Sequence, residues 1–331
     1  MKPLRELTYA EALNEALKEE MRRDSKVIVM GEDVGIFGGV YKVTKGLLEE
    51  FGPDRVYDTP ISEDGFVGAA VGAAVAGLKP VVEVMYPDFL PCCMNQIVNH
   101  AAKLHYMTGG QLSVPLVIRT AFIQGRGSGA DHSQVLIPLF MHIPGLYVAT
   151  PSTPFDSKGL LKTAIRNGSP TMFFEAASLY NLKGPVPEED YTIPFGKADV
   201  KKVGEDVTIV AVSATVHTAL SAADVLEKSE VDVEVIDPRT LVPLDKEAII
   251  NSVKKTGRLI VVENSWRTCG VGAEISAMIM EEAFDLLDAP VLRIATRGIP
   301  EPVSPALLKL FLLNEEKIYD TVKKLGFEVK G

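Results

Sequence analysis

Residues 55–86 read RVYDTPISEDGFVGAAVGAAVAGLKPVVEVMY, the pattern of a strand, a helix and a second strand. A short strand at 55–58 precedes a helix of mostly small residues at 63–77, and the next strand spans 80–86. Strands separated by a single helix pair in parallel through a right-handed crossover. The stretch therefore predicts an α/β fold built on a parallel sheet.

The same alternation continues on both sides of this stretch. Thr8 and Glu11 have the spacing of a capping box before the first helix, and a buried strand is expected at 27–30. The elements expected downstream are a helix over 89–107, strands at 114–121, 146–150 and 171–175, and a helix from Thr153-Pro154 to Gly168.

A change of composition divides the chain. Residues 181–194 contain prolines at 185, 187 and 194 and show no periodicity, which is typical of a linker. The strands expected beyond it are 207–212, 231–236, 259–263 and 291–295, and the helices are 216–228, 244–256, 271–286 and 314–325. We therefore expect two doubly wound α/β domains, at 1–180 and 197–331, joined by a linker at 181–196.

Composition limits the classes of function. The 331 residues are 47% hydrophobic and 24% charged, as in ordinary globular proteins, and the net charge of −10 argues against general binding to nucleic acid or anionic membrane. Two of the three cysteines, Cys92 and Cys93, are adjacent, which argues against a disulfide framework and favours a reducing cytoplasm. No apolar run reaches the roughly 18 residues of a membrane span, and the N-terminus has no apolar signal core.

Ligands of parallel sheets bind in the loops that follow the strands, and the first such loop contains Glu63. Ser62 is a potential helix cap, and Glu63 falls in the first turn of the small-residue helix. A carboxylate there can simply complement the helix dipole. However, the glycines and alanines of 68–77 let another helix approach closely, and desolvation at such a contact would perturb Glu63.

The second loop, 124–134, has glycine at 125, 127 and 129 and ends in Asp131-His132. Histidine is the side chain most easily tuned for proton transfer near neutral pH, whereas a capping or solvated loop histidine is the simpler interpretation. Ser128 is not in a nucleophile elbow, because position 126 is arginine rather than glycine.

The remaining patterns are weaker. Gly270 and Gly272 could hold an anion at a helix start, but Ile275 stands where a dinucleotide fingerprint has glycine, so a structural turn is favoured. No metal-binding motif of cysteine or histidine occurs, and the adjacent cysteines are interpreted as core or interface residues. Tyr86 and Phe89 follow a strand end and could line a flat ring site or pack in the core.

Six segments together resemble one family. They are VIVMGEDVG (27–35), the stretch at 58–85, ADHSQ (130–134), PSTPFDSKGLLKTAIR (151–166), VIDPRTLVPLD (235–245) and VGAEI (271–275). In this order they resemble the beta subunit of the thiamine diphosphate-dependent 2-oxoacid dehydrogenase component. That family includes pyruvate, branched-chain 2-oxoacid and acetoin dehydrogenases.

The resemblance implies a pyrimidine-binding domain followed by a transketolase-like C-terminal domain. It further implies a heterotetramer of two alpha and two beta subunits that delivers acyl groups to a lipoyl-bearing acyltransferase core. Thiamine diphosphate would lie between an alpha and a beta subunit, and the alpha subunit would supply the diphosphate and Mg²⁺ site through a G-D-G motif. The nearest sequence here is Glu63-Asp64-Gly65, which agrees with half of a shared site.

The resemblance also implies roles for single residues. Glu63 matches the glutamate that activates the cofactor through a ring nitrogen of its aminopyrimidine, and Met85 and Phe89 match positions that pack around that ring. His132 matches the histidine that assists acyl transfer to the lipoyl arm, as an acid toward the opening dithiolane. Asp131 stands where a neutral residue is expected, and its carboxylate could raise the pKa of His132, depending on the direction of the side chains.

A potassium site is implied for some relatives. Its backbone positions match Leu116, Ala164 and Ile165, and its side-chain ligand matches Asn167, where aspartate is expected in relatives that bind the ion.

The alternatives differ in class. Among enzymes, 120–132 shows no clear branched-chain signature, which favours a pyruvate or acetoin dehydrogenase beta subunit over a branched-chain 2-oxoacid dehydrogenase. Of these we take pyruvate first, with acetoin and branched-chain 2-oxoacids as alternatives. A non-catalytic docking subunit is disfavoured by the presence of both Glu63 and His132. A dinucleotide-dependent oxidoreductase is disfavoured by the incomplete fingerprint at 270–275.

Overall fold

The computed structural model describes residues 5–329, and its backbone contacts divide the chain into two units. The first unit runs to Ile123 and resumes at Leu139–Phe195; the second comprises Gln124–Pro138 and the chain from Gly196 onward. The loop that carries His132 is therefore part of the second unit, and Glu63 is part of the first.

Elements of the chain up to residue 195 follow the predicted alternation. They are β1 (Arg5–Thr8), α1 (Tyr9–Arg23), β2 (Val27–Gly31), α2 (Leu47–Phe51), β3 (Val56–Asp58), α3 (Glu63–Val75), β4 (Lys79–Val84), α4 (Leu104–Met107), β5 (Val117–Phe122), α5 (Ile137–Met141), β6 (Tyr147–Ala149), α6 (Pro154–Arg166), β7 (Thr171–Ala176) and β8 (Lys183–Val186).

The sheet of the first unit is parallel, with its strands in the order β6-β7-β5-β4-β2-β3. Val29 of β2 lies between Val56 of β3 and Val81 of β4. The chain thus adds β3 on one side of β2 and β4 on the other. A topological switch point lies between β2 and β4, and this is where doubly wound sheets bind ligands.

Caps and charges fix the helices around this sheet. The capping box is present, since Thr8 Oγ1 accepts the Glu11 N–H at 3.2 Å and the Glu11 carboxylate accepts the Thr8 N–H at 2.8 Å. Lys158 and Lys162 of α6 are fully buried and pair with Glu19 of α1. The interface between α1 and α6 is therefore charged, and burial is tolerated because each ammonium group has a carboxylate partner.

Two stretches differ from expectation. Residues 89–107 are not one helix: a 3-10 turn (Pro87–Cys93) and a π turn (Gln96–Ala101) precede α4. Pro91 has no N–H to donate, which breaks a regular helical ladder. In the segment expected to be a linker, β8 pairs antiparallel with β1, a strand that the sequence patterns did not indicate.

The second unit contains β9 (Asp199–Lys202), β10 (Val207–Ala211), α7 (Thr215–Glu227), β11 (Val233–Asp237), β12 (Thr240–Val242), α8 (Lys246–Thr256), β13 (Leu259–Trp266), α9 (Val271–Glu282), β14 (Leu292–Thr296), α10 (Pro305–Phe311) and α11 (Glu315–Lys323). Its five-stranded sheet has the order β14-β13-β10-β11-β9, parallel except for the edge strand β9. The prediction of two doubly wound α/β sheets is confirmed. Among residues 5–329, no helix is both long and apolar enough to cross a membrane.

Candidate active site

The switch point of the first unit brings two carboxyl groups to one edge of the sheet. Gly31 ends β2 and is followed by Glu32, while Glu63 is the first residue of α3. The Thr59 N–H donates to the Gly31 carbonyl at 2.9 Å, which joins the ends of the two strands. Ser62 makes no side-chain cap, so the first turn of α3 leaves N–H groups available near Glu63.

Glu32 is the functional candidate that the sequence patterns missed. Its side chain is buried, and its Oε1 has no hydrogen-bond partner. Burial raises the pKa of the Glu32 carboxyl, and the charges of Glu63 and Asp33 raise it further. A buried carboxyl group with a raised pKa beside a second carboxyl group is an arrangement suited to proton transfer. The sequence signal that could have identified Glu32 is its position directly after β2, at the switch point.

An aromatic turn packs against α3. The 3-10 turn after β4 contacts α3 and carries Phe89, whose ring centroid lies 6.0 Å from that of Tyr86. Gln96 donates to the Asp64 carboxylate at 3.0 Å and so ties the following π turn to the start of α3. Glu63 and Phe89 are therefore carried by elements in direct contact.

Burial raises the pKa of the Cys93 thiol to about 12, and the charge of Glu63 adds to the effect. A thiol with that pKa is unreactive at neutral pH. The interpretation of Cys93 as a core residue rather than a nucleophile agrees with its complete burial.

Below Met85 lies a buried cluster of charges. Arg119 of β5 donates to both carboxylate oxygens of Glu175 and to Glu83, each at 2.8 Å, and Tyr180 donates to Glu175 at 2.6 Å. Burial lowers the pKa of Arg119, but the two carboxylates outweigh it and hold the pKa above its usual value. The charged cluster and Met85 line the same small cavity. The cluster therefore holds the strands that carry its residues in place beside Met85.

Arg119→Met should destabilise the subunit by about 3–5 kcal/mol, because it leaves two buried carboxylates without their cation. Urea unfolding would measure the change. Arg22→Met is the matched control, since Arg22 pairs with Glu50 at the surface and should contribute about 1 kcal/mol or less. Equal effects of the two variants would contradict the role of the cluster.

One face of α3 is exposed and almost free of side chains. A Cβ added at Gly72 would meet nothing within 4 Å, whereas one at Gly68 would meet the side chain of Gln96 at 3.4 Å. Ala69 of this helix and Ala76, its C-cap residue, are also exposed. Gly68 is therefore in ordinary contact with the side chain of Gln96, and the face around Gly72 remains open to a further helix.

His132 lies in the second unit, and its Nδ1 is 3.2 Å from Oδ1 of Asp131. Asp131 is 86% exposed, and the hydrogen bond to His132 lowers the pKa of its carboxyl. The side chains of Asp131 and His132 are therefore in direct contact. The His132 side chain is 41% exposed, so it is accessible to a reactant.

The third candidate loop is a structural turn. The N–H groups of Val271 and Gly272 at the start of α9 donate to the buried carboxylate of Glu263, at 2.8 and 2.7 Å. Glu263 thus occupies the position where a phosphate would bind at this helix terminus. The structure agrees with the incomplete fingerprint and offers no dinucleotide site at α9.

The residues matched to a potassium site lie at the opposite end of the first sheet from Glu63. Leu116 precedes β5, Ala164 and Ile165 end α6, and Asn167 caps that helix. The Thr171 N–H donates to the Leu116 carbonyl at 2.8 Å, and Asn167 Oδ1 accepts the Ser169 N–H at 2.7 Å. Carbonyl and amide oxygens have a second lone pair, so these groups could still bind a cation.

Comparison with known proteins agrees with this geometry. The family "Transketolase, pyrimidine binding domain" matches residues 5–183, and "Transketolase, C-terminal domain" matches residues 196–318. The chain is 46% identical to the acetoin:2,6-dichlorophenolindophenol oxidoreductase subunit beta of Bacillus subtilis, over 97% of this chain and 98% of that one. It is 49% identical to the pyruvate dehydrogenase E1 component subunit beta of Rickettsia felis, over 97% and 99%.

The chain belongs to the E1 beta subunit family of 2-oxoacid and acetoin dehydrogenases. The 2-oxoisovalerate dehydrogenase subunit beta of Bacillus subtilis, 44% identical over 97% of this chain and 98% of its own, extends the family to branched-chain substrates. These relatives are oxidoreductase subunits, as the resemblance implied. The fold agrees with a solved structure titled "Split gene transketolase, inactive beta4 tetramer", at a TM-score of 0.79 and 23% identity over 96% of this chain and 97% of that one.

Within this E1 beta fold, the predicted site residues form three groups. Glu63, Met85 and Phe89 lie around the switch point of the first unit, and His132 is on the glycine-rich loop of the second. The potassium candidates lie at the far end of the first sheet. Among residues 5–329, no group of three or more histidine, cysteine, aspartate or glutamate side chains could hold a metal ion.

Proposed function

We propose that the chain is the beta subunit of a pyruvate dehydrogenase and that it contributes half of a thiamine diphosphate site. The observation that carries the proposal is the pair of carboxyl groups, Glu32 and Glu63, beside the aromatic turn of Phe89 at the switch point. An alpha subunit would complete the site in a heterotetramer of two alpha and two beta subunits in the cytoplasm, and it would supply the diphosphate and Mg²⁺ ligands.

The residues present fit one part of the cofactor. The orphaned Oε1 of Glu32, the half-buried Glu63 and the ring of Phe89 suit a flat, polar heterocycle with ionisable ring nitrogens. When bound, thiamine diphosphate supplies a carbon nucleophile that attacks the carbonyl of the 2-oxoacid.

Glu63 would hold a proton at a ring nitrogen of the aminopyrimidine. Glu32, which is buried and interacts electrostatically with Glu63, would act on the cofactor only through Glu63. Met85 and Phe89 would exclude water from the ring, which strengthens the hydrogen bond from Glu63.

His132 would serve the second half of the reaction, the transfer of the acyl group to a lipoyl group of the acyltransferase core. It would donate a proton to the sulfur that leaves when the dithiolane opens. Its exposed ring and the three glycines of its loop suit a residue that meets a second substrate late in the cycle.

We propose a structural potassium ion at Leu116, Ala164, Ile165 and Asn167. Asn167 provides a neutral oxygen where potassium-binding relatives are expected to have aspartate, so the affinity would be low. Replacing potassium with choline in a thermal unfolding series should lower the midpoint of the wild-type complex but not that of Asn167→Ala. Equal midpoints in both salts would contradict the site.

The substrate is tested by co-expressing the chain with its alpha subunit and assaying pyruvate, branched-chain 2-oxoacids and acetoin side by side. We expect the highest kcat/KM with pyruvate. A preference for acetoin or for branched-chain 2-oxoacids would retain the family and contradict the substrate. Assembly without activity on any substrate would favour a docking subunit.

Gly72→Leu should prevent assembly of the heterotetramer. The substitution places a large side chain on the open face of α3, where we expect another helix to pack closely. Light scattering on the co-expressed subunits would show smaller species, while circular dichroism remains that of a folded chain. An intact heterotetramer would contradict the use of this face. The control is Ala248→Leu, which adds the same side chain to α8 of the second unit. Gly77→Leu is unsuitable as a control because Gly77 has a positive φ.

A further inference from the structure

The loop that carries His132 is held by a carboxylate 176 positions later in the chain. Glu301 is 6% exposed, and its two carboxylate oxygens accept the N–H of Gly125 at 3.0 and 3.1 Å. Both residues belong to the second unit. A hydrogen bond to a charged group is about twice as strong as a neutral one, so this contact fixes the first residues of the loop.

Other residues of the loop also contact distant segments of the second unit. Gln124 Nε2 donates to the Asn264 carbonyl at 3.0 Å, and Asn264 Nδ2 donates to Gln124 Oε1 at 2.8 Å. Positions for a Cβ at Gly127 and Gly129 would lie 3.3 and 3.5 Å from atoms of Val303. From 124 to 129 the loop therefore lies against the segments that contain Asn264 and Glu301.

The loop has little conformational preference of its own. Gly125, Gly127 and Gly129 have φ values of +91°, +72° and +90°, which glycine adopts freely but does not favour over other conformations. Two buried oxygen atoms beside the loop, Ser133 Oγ and Asn264 Oδ1, have no hydrogen-bond partner. Each of them makes the packed conformation of the loop less favourable. An external anchor is therefore needed to keep the loop in place.

We infer that Glu301 is a positioning residue for His132: by holding Gly125, it sets where the histidine stands when the lipoyl group arrives. The inference rests on the proposed function only for the role of His132. The anchoring of the loop depends on the contacts of the second unit alone.

The first test measures the anchor in the assembled complex. Hydrogen exchange of the amides at 125–132 should rise about tenfold or more in Glu301→Gln, because a charge-assisted hydrogen bond becomes a neutral one. Glu301→Asp should restore part of the protection. Glu281→Gln, at an exposed position of the same unit, is the matched control and should leave exchange unchanged. Unchanged exchange in Glu301→Gln would overturn the inference.

The second test asks whether the anchor acts through His132. Glu301→Gln should lower kcat/KM for acyl transfer to a free lipoyl domain by about tenfold and reduce turnover with an artificial electron acceptor much less. The double variant with His132→Ala should then transfer no more slowly than His132→Ala alone. Losses that multiply would show that Glu301 acts elsewhere and would overturn the inference. Absence of transfer by the wild-type complex would instead contradict the proposed function, and the exchange measurement would still decide the anchor.

Discussion

Glu63→Gln should abolish most turnover, with a loss of about 10²–10⁴-fold, while the subunit still folds and assembles. The amide retains the size of the side chain but cannot hold and release a proton at the cofactor ring. Turnover with an artificial electron acceptor measures this step, because it does not require acyl transfer to the lipoyl group.

Asp64→Asn is the matched control for Glu63→Gln. It removes the same charge from the same helical turn, where Asp64 is exposed and accepts a hydrogen bond from Gln96. If Glu63 only complements the helix dipole, both variants should lose about 1 kcal/mol of stability or less and keep their activity. Near-normal rates of Glu63→Gln would therefore remove Glu63 from the mechanism.

His132→Ala should separate the two half-reactions. Acyl transfer to a lipoyl domain should fall by about 10²–10⁴-fold, the typical contribution of a general acid, while turnover with an artificial acceptor falls less. The reason is that the lipoyl group arrives only after the 2-oxoacid has lost carbon dioxide. Both rates are measured on the same preparation, with exposed His142→Ala as the control.

Equal losses in both half-reactions of His132→Ala would assign the residue to substrate binding or to the order of the loop. No loss in either would leave it as a solvated loop histidine. Asp131→Asn adds a further comparison, because it removes the carboxylate 3.2 Å from Nδ1 and leaves the ring in place.

Much of the fold could be predicted because local signals agreed with it. The capping box of Thr8 and Glu11, the apolar strands and the proline at the start of α6 each indicate one element without reference to the rest of the chain. Elements with weak local signals were missed. The strand Arg5–Thr8 is short and polar, and it exists because it pairs with Lys183–Val186 far along the chain. Pro91 interrupts what periodicity alone indicated as one helix.

The candidate site likewise contains residues with a local signal and residues that depend on long-range contacts. Glu63 begins a helix of unusually small residues and His132 lies in a glycine-rich loop, so the sequence identifies both. Glu32 acquires its raised pKa from burial and from Glu63, 31 positions later in the sequence, and Glu301 reaches Gly125 only in the folded second unit. Their significance depends on long-range contacts, which residue patterns do not encode.

The central claim is that this chain holds half of a thiamine diphosphate site, and calorimetric titration of the cofactor tests it most directly. The purified chain alone and the co-purified complex with its alpha subunit are each titrated with thiamine diphosphate and Mg²⁺. We predict weak or undetectable binding to the chain alone and tight, stoichiometric binding to the complex. Tight binding by the chain alone would contradict the shared site.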